Sequence, residues 1–110
     1  MIIDNKTTTI RDDFNNDFKV KYNLIKTNVD DNIIYGFSVN TTNMSDNTNL
    51  YKEFLDFTKD LEYAKEIFEK LMENLVLPLN LVNVLDEIIN WYFSYSTSIL
   101  LQLLNNKVIS

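Results

Sequence analysis

The residues of this chain that could do acid–base or metal chemistry are carboxylates alone. Histidine and cysteine are both absent, which removes the commonest general base, the commonest transition-metal ligand and every thiolate site. Gly36 is the only glycine, so no phosphate-cradling loop of the Walker or dinucleotide type can be built. Ser-His-Asp and Cys-His nucleophile systems lack their parts. A carboxylate pair of the kind that cleaves glycosides would have to come from Glu53, Asp56, Asp86 or Glu87. Each of the four is more simply read as a surface or capping residue. Asp13-Phe14-Asn15-Asn16-Asp17 copies the first half of a calcium loop, but the sharp-turn glycine falls on Phe18 and the bidentate glutamate on Leu24. The expectation is no catalytic residue, no cofactor, no metal, and hence no enzyme.

The charge narrows the partners. Sixteen acidic residues stand against ten basic ones, a net charge of −6, and Arg11 is the only arginine. Neutralising phosphates takes clustered Lys and Arg, so direct nucleic-acid binding is not expected. An acidic surface suits a basic protein partner, or simply solubility. The N-terminus, MIIDNKTTTIRDD, has no basic stretch followed by an apolar run, so no signal peptide is read and a cytoplasmic location is expected. Richness in Asn, Ile, Lys, Tyr and Phe is what AT-rich codons produce, which points to a low-GC bacterial or phage genome.

The elements that must carry these residues follow from periodicity. A chain of 110 residues has room for one core. Residues 1–17 show neither hydrophobic period and read as a polar arm, or at most an edge segment; 18–110 read as a single α+β domain. Phe18, Val20, Tyr22 and Leu24 alternate with polar residues, and Ile33, Tyr35, Phe37 and Val39 do the same after the turn residues Val29-Asp30-Asp31-Asn32. This predicts a hairpin of strands near 18–26 and 32–40, with Lys19, Lys21 and Lys26 on its outer face. A third strand is expected near 51–57, with Tyr51, Glu53, Leu55 and Phe57 on one side and Phe54 awkwardly on the other. The fold class is thus a two- to three-stranded antiparallel meander followed by two helices.

The first helix is expected over about 60–75, capped by Asp60, with Ala64, Ile67, Phe68, Leu71, Met72 and Leu75 as its apolar stripe. Pro78 ends that segment. The second helix is expected over about 80–106, on the order of 40 Å long at 1.5 Å per residue. Asn83, Glu87, Asn90, Ser94, Thr97, Ser98, Gln102 and Asn105 form one polar strip. A helix that long overruns a sheet of ordinary strand length, about 17–20 Å. Its far end, with Trp91, Tyr92, Tyr95, Ile99, Leu100, Leu103 and Leu104, should project as an apolar interface for a second copy or another protein. Folding back onto the other sheet face with a kink near Ser94-Tyr95-Ser96, and membrane contact, are the competing readings. The polar strip argues against a membrane span.

Residues 35–89 also resemble a family of small uncharacterised clostridial proteins that form a domain of unknown function. The resemblance rests on Tyr35-Gly36-Phe37, Thr58-Lys59-Asp60, Glu73-Asn74-Leu75-Val76-Leu77-Pro78 and Leu81-Val82-Asn83-Val84-Leu85-Asp86-Glu87. It implies the same order of strands then helices, assigns no activity, and makes residues 90–110 an extension. The functional expectation is a non-enzymatic interaction or regulatory module, self-associating through the end of its last helix. Its rivals are an acidic phage or mobile-element inhibitor occupying a basic groove of a nucleic-acid enzyme, and a carboxylate-only enzyme.

Overall fold

The computed structural model describes residues 1–89. Four strands, β1 (Ile2–Arg11), β2 (Asp17–Val29), β3 (Asn32–Asn43) and β4 (Asn49–Thr58), form one antiparallel meander in the order β1-β2-β3-β4. Two helices follow, α1 (Leu61–Glu73) and α2 (78–89). The fold is therefore α+β as expected, with four strands rather than two to three. The extra strand lies in the segment read as an arm. Antiparallel pairing puts Asp4, Lys6, Thr8 and Ile10 of β1 on the face that carries Leu24, Tyr22 and Val20. Of these only Ile10 packs on the core, so an edge strand forms without a hydrophobic period to announce it. Its β-branched threonines suit a pleated surface, and Lys6 pairs with Glu69 of α1 across the layers.

The core lies between one sheet face and the helices. Val20, Tyr22 and Leu24 of β2, Tyr35, Phe37 and Val39 of β3, and Ala64, Ile67, Phe68 and Leu71 of α1 are buried together with Leu81 and Leu85 of α2. The alternation of β2 and β3 is thus the one their sequences predict. Lys19 and Lys21 lie on the uncovered face, but Lys26 does not. It pairs with Tyr35, so its even number places it with Leu24 on the helix side. The two-residue turn between β2 and β3 holds Asp30 and Asp31 at φ of 49° and 66°, the left-handed pair of a type I′ hairpin.

β4 departs from simple alternation. Tyr35 pairs with Thr58 while Phe37 pairs with Phe54, so three residues of β4 pass the single residue Gly36. A Cβ on Gly36 would overlap the Phe54 carbonyl oxygen and the Leu55 backbone, which is why the only glycine sits here. The bulge turns Phe54 and Phe57 both toward the core and leaves Leu55 exposed. Phe57 then meets Phe37 edge-on at 5.2 Å and stacks on Tyr63 of α1 at 5.6 Å. The expected side with Tyr51, Leu55 and Phe57 together is corrected by this bulge.

The helices begin and end by local chemistry. Asp60 caps α1 by accepting from the Tyr63 N–H at 3.2 Å. The helix stops at Glu73, earlier than its apolar stripe suggests, because Leu75 adopts φ 51°. Val76 N–H then donates to Leu71 O at 2.9 Å and Leu75 N–H to Met72 O at 3.1 Å, the paired bonds of a Schellman motif. Pro78, expected to end α1, lies beyond this stop and instead occupies the first position of α2, where a missing N–H loses nothing.

Candidate interaction surface

The two ends of the sheet differ. At the end that carries the β2–β3 turn, the aromatic group of Phe37, Phe54, Phe57 and Tyr63 closes the space between sheet and helix. At the other end, the β1–β2 and β3–β4 turns are built by carboxylates and amides. Asp12 accepts from the N–H groups of Phe14 and Asn16 at 2.8 and 2.9 Å and from Asn16 Nδ2 at 3.1 Å. Those donors, Asn16 first, hold the Asp12 carboxyl below its ordinary pKa. Asp46 accepts from Thr48 N–H and Oγ1 and is lowered likewise. Asp17 takes the Arg11 Nε hydrogen bond at 2.9 Å, and that guanidinium keeps it ionised. Met44 N–H donates to Asp17 O at 2.9 Å and ties the two turns together. The calcium-loop lookalike is part of the β1–β2 turn, and its last carboxylate, Asp17, is engaged by Arg11.

Above these turns the sheet is left open. A groove of about 390 Å³ lies between the sheet end and the start of α2, walled by Ile10, Phe18, Leu50, Leu77, Pro78 and Leu79. It continues past Leu50, Pro78 and Leu79 toward Tyr51 and Val82, where a second hollow of about 430 Å³ opens beside the β4 edge. Leu79 is 78% exposed and Leu50 46%. Phe14 in the adjoining turn is 85% exposed. Such an apolar surface is what an interaction site offers. Among the described residues, Asp12 and Lys52 are the only charged ones along the two hollows. The periodicity of the second helix alone does not reveal this groove. It depends on Leu77 and Leu79 flanking Pro78, and on where the sheet ends.

The candidate acids are scattered. Glu53 faces the uncovered side of the sheet and accepts from the Tyr51 hydroxyl at 2.7 Å, which raises the Tyr51 pKa. Asp56 sits in the β4 bulge, and Asp86 and Glu87 lie on exposed turns of α2. No group of three or more His, Cys, Asp and Glu side chains able to hold a metal occurs among the described residues. The uncovered sheet face is polar, and at its middle Asn23 Nδ2 donates to Ser38 Oγ at 3.0 Å, both side chains buried.

Leu81 and Leu85 of α2 are buried and Asn83 and Glu87 exposed, the sidedness expected of the second helix. The interface residues read from the sequence, Trp91, Tyr92, Tyr95, Ile99, Leu100, Leu103 and Leu104, lie outside the described residues, as does that helix beyond 89. Among the described residues no helix is long and apolar enough to cross a membrane. No match is found among the curated proteins or the solved structures. A family of unknown function, DUF6514, matches residues 1–91. That span takes in the whole sheet, both helices as described, and the groove, and extends well beyond the resemblance read over 35–89. The chain belongs to this family of unknown function.

Proposed function

We propose that this chain is a non-enzymatic protein-interaction module that associates with a second copy of itself through the apolar residues of 91–104. The observation that carries the reading is the open end of the sheet. Its groove is apolar, and the one carboxylate that lines it, Asp12, is spent on its own turn. A carboxylate held ionised by three donors is a poor general acid, whereas an apolar wall with exposed leucines favours protein contact. Ile89, at the last described turn of α2, is already partly exposed, which supports an apolar stripe that outruns the sheet. A cytoplasmic location and a clostridial or related low-GC source belong to the same reading; they rest on composition and on the resemblance over 35–89.

The test is solution mass by light scattering after size exclusion. The unmodified chain should run as a dimer, and Leu100→Lys and Tyr95→Glu should run as monomers with unchanged circular dichroism. Variants that keep both the dimer mass and every partner contact would remove the proposal.

A further inference from the structure

We propose that β1 is a releasable strap: it detaches from β2 and rejoins it as a unit while the other three strands and both helices stay folded. The device is independent of self-association. Three observations lead to it. The first is how little holds β1 from the core side. Of its residues on that side, Asp4, Lys6, Thr8 and Ile10, only Ile10 packs on the core. The opposite edge strand, β4, is anchored by two aromatics, Phe54 and Phe57, which meet edge-on, Phe57 also reaching Phe37. Ordering a strand costs backbone entropy at every residue, and apolar burial is the main effect that offsets it. Both edges order ten residues, so β1 is the less firmly held of the two.

The second is how little holds β1 elsewhere. It ends the sheet, with no strand on its outer side among the described residues, and the N–H of Asn5 is taken up by Asp4 Oδ1 at 2.8 Å. A register shift between Ile2 and Asp4 interrupts its ladder to β2. Beyond the shift one further pair joins Met1 to Lys26. Among the described residues one ion pair, Lys6 with Glu69, ties β1 to α1, and both side chains are partly exposed, where such pairs are weak. The Arg11–Asp17 pair lies beside the β1–β2 turn and marks the hinge end.

The third is what stays behind. Val20, Tyr22 and Leu24 of β2 are buried with Tyr35, Phe37 and Val39 of β3 and with residues of both helices, so the core keeps nearly all its members when β1 leaves. The open form makes β2 the sheet edge. Antiparallel pairs alternate in hydrogen bonding. The bond from Asp12 N–H to Asn16 O at 3.0 Å sets the phase of the first hairpin, and that from Met44 N–H to Asp17 O at 2.9 Å sets the phase of the second. Counting from them, the N–H groups of Val20, Tyr22 and Leu24 point to β1, and those of Lys19, Lys21 and Asn23 point to β3. Opening therefore frees every second backbone group of β2, leaving the kind of edge to which an extended segment adds.

Residue-resolved amide hydrogen exchange on the unmodified chain reads the two sets separately, each rate being corrected for its value in an unstructured peptide. The amides of Val20, Tyr22 and Leu24 should exchange roughly tenfold or more faster than those of Lys21 and Asn23, because the first set opens with the strap and the second only with the sheet. Glu69→Gln cuts the tie to α1 at a partly exposed position and should leave the circular dichroism unchanged. It should speed the first set by roughly twofold or more and leave the second as it was. Equal protection of the two sets in the unmodified chain would overturn the proposal, since β1 would then open only when the whole sheet does. A Glu69→Gln chain in which both sets speed up alike would overturn it too, because the ion pair would then support the whole sheet rather than a separate strap.

Discussion

The two ends of the sheet are built from the same strands and finish differently. At the end holding the β2–β3 turn, Gly36 lets the β4 backbone press against β3, and the resulting bulge drops Phe54 and Phe57 into the core beside Phe37. At the end holding the other two turns β4 is regular, and Leu50 faces a hollow instead of a neighbour. The difference teaches that the strand irregularity completes the core, while the regular strand leaves an apolar surface open. One end should respond to mutation in stability and the other in assembly.

Gly36→Ala attacks the first half of that comparison and should have the largest effect. The added methyl overlaps backbone, which cannot move like a side-chain tip, so a loss of about 3 kcal/mol or more is expected in urea unfolding. A loss below about 1 kcal/mol would mean the bulge is looser than described. Leu79→Asp attacks the second half. Leu79 is 78% exposed in the first turn of α2, where an acid is favoured by the helix dipole. Its unfolding free energy should stay within about 0.5 kcal/mol, while the dimer mass falls to that of a monomer.

Leu75→Gly tests a position common to both ends, the hinge that sends the chain from α1 into α2. Leucine at φ 51° is strained, and glycine is the residue that the Schellman position favours. A gain of roughly 0.5–1 kcal/mol is expected, with assembly unchanged. The smallest effect concerns pH. Asp12, Asp17 and Asp46 are all held below their ordinary pKa. Folding therefore favours their ionised forms, and the stability they add is present above the ordinary carboxylate pKa near 3.9. It is lost as pH falls through the lowered folded values. The melting temperature should drop on that acid side, and less steeply in Asp12→Asn. Equal slopes in the two proteins would show that the turn at Asp12 adds nothing by its charge.

What was legible in the sequence had a period or a named cap. The alternation in β2 and β3 and the Asp60 cap are local signals that appear in the fold at their expected residues, and the apolar stripe of α1 does so as far as Met72, with Leu75 falling beyond the helix. Among described residues the candidate site was legible in its elements only. The buried side of α2 follows from its spacing, whereas the groove depends on how far the sheet extends beyond Pro78, which no local pattern encodes. Strand β1 was illegible because three of its four core-side positions are Asp4, Lys6 and Thr8.

The sequence by itself determined that the chain lacks the parts for histidine, thiolate and phosphate-loop chemistry, since residue types absent from the chain cannot be supplied by folding. It also determined which strand faces turn inward wherever alternation was unbroken. Only the tertiary structure decided that Phe54 and Phe57 both point inward and that one sheet end stays open, whereas the side of Lys26 follows from the unbroken alternation of β2. The reason is that the first depends on the register between β3 and β4 and the second on how far the sheet reaches past the start of α2, and each is an agreement between segments that neither carries alone.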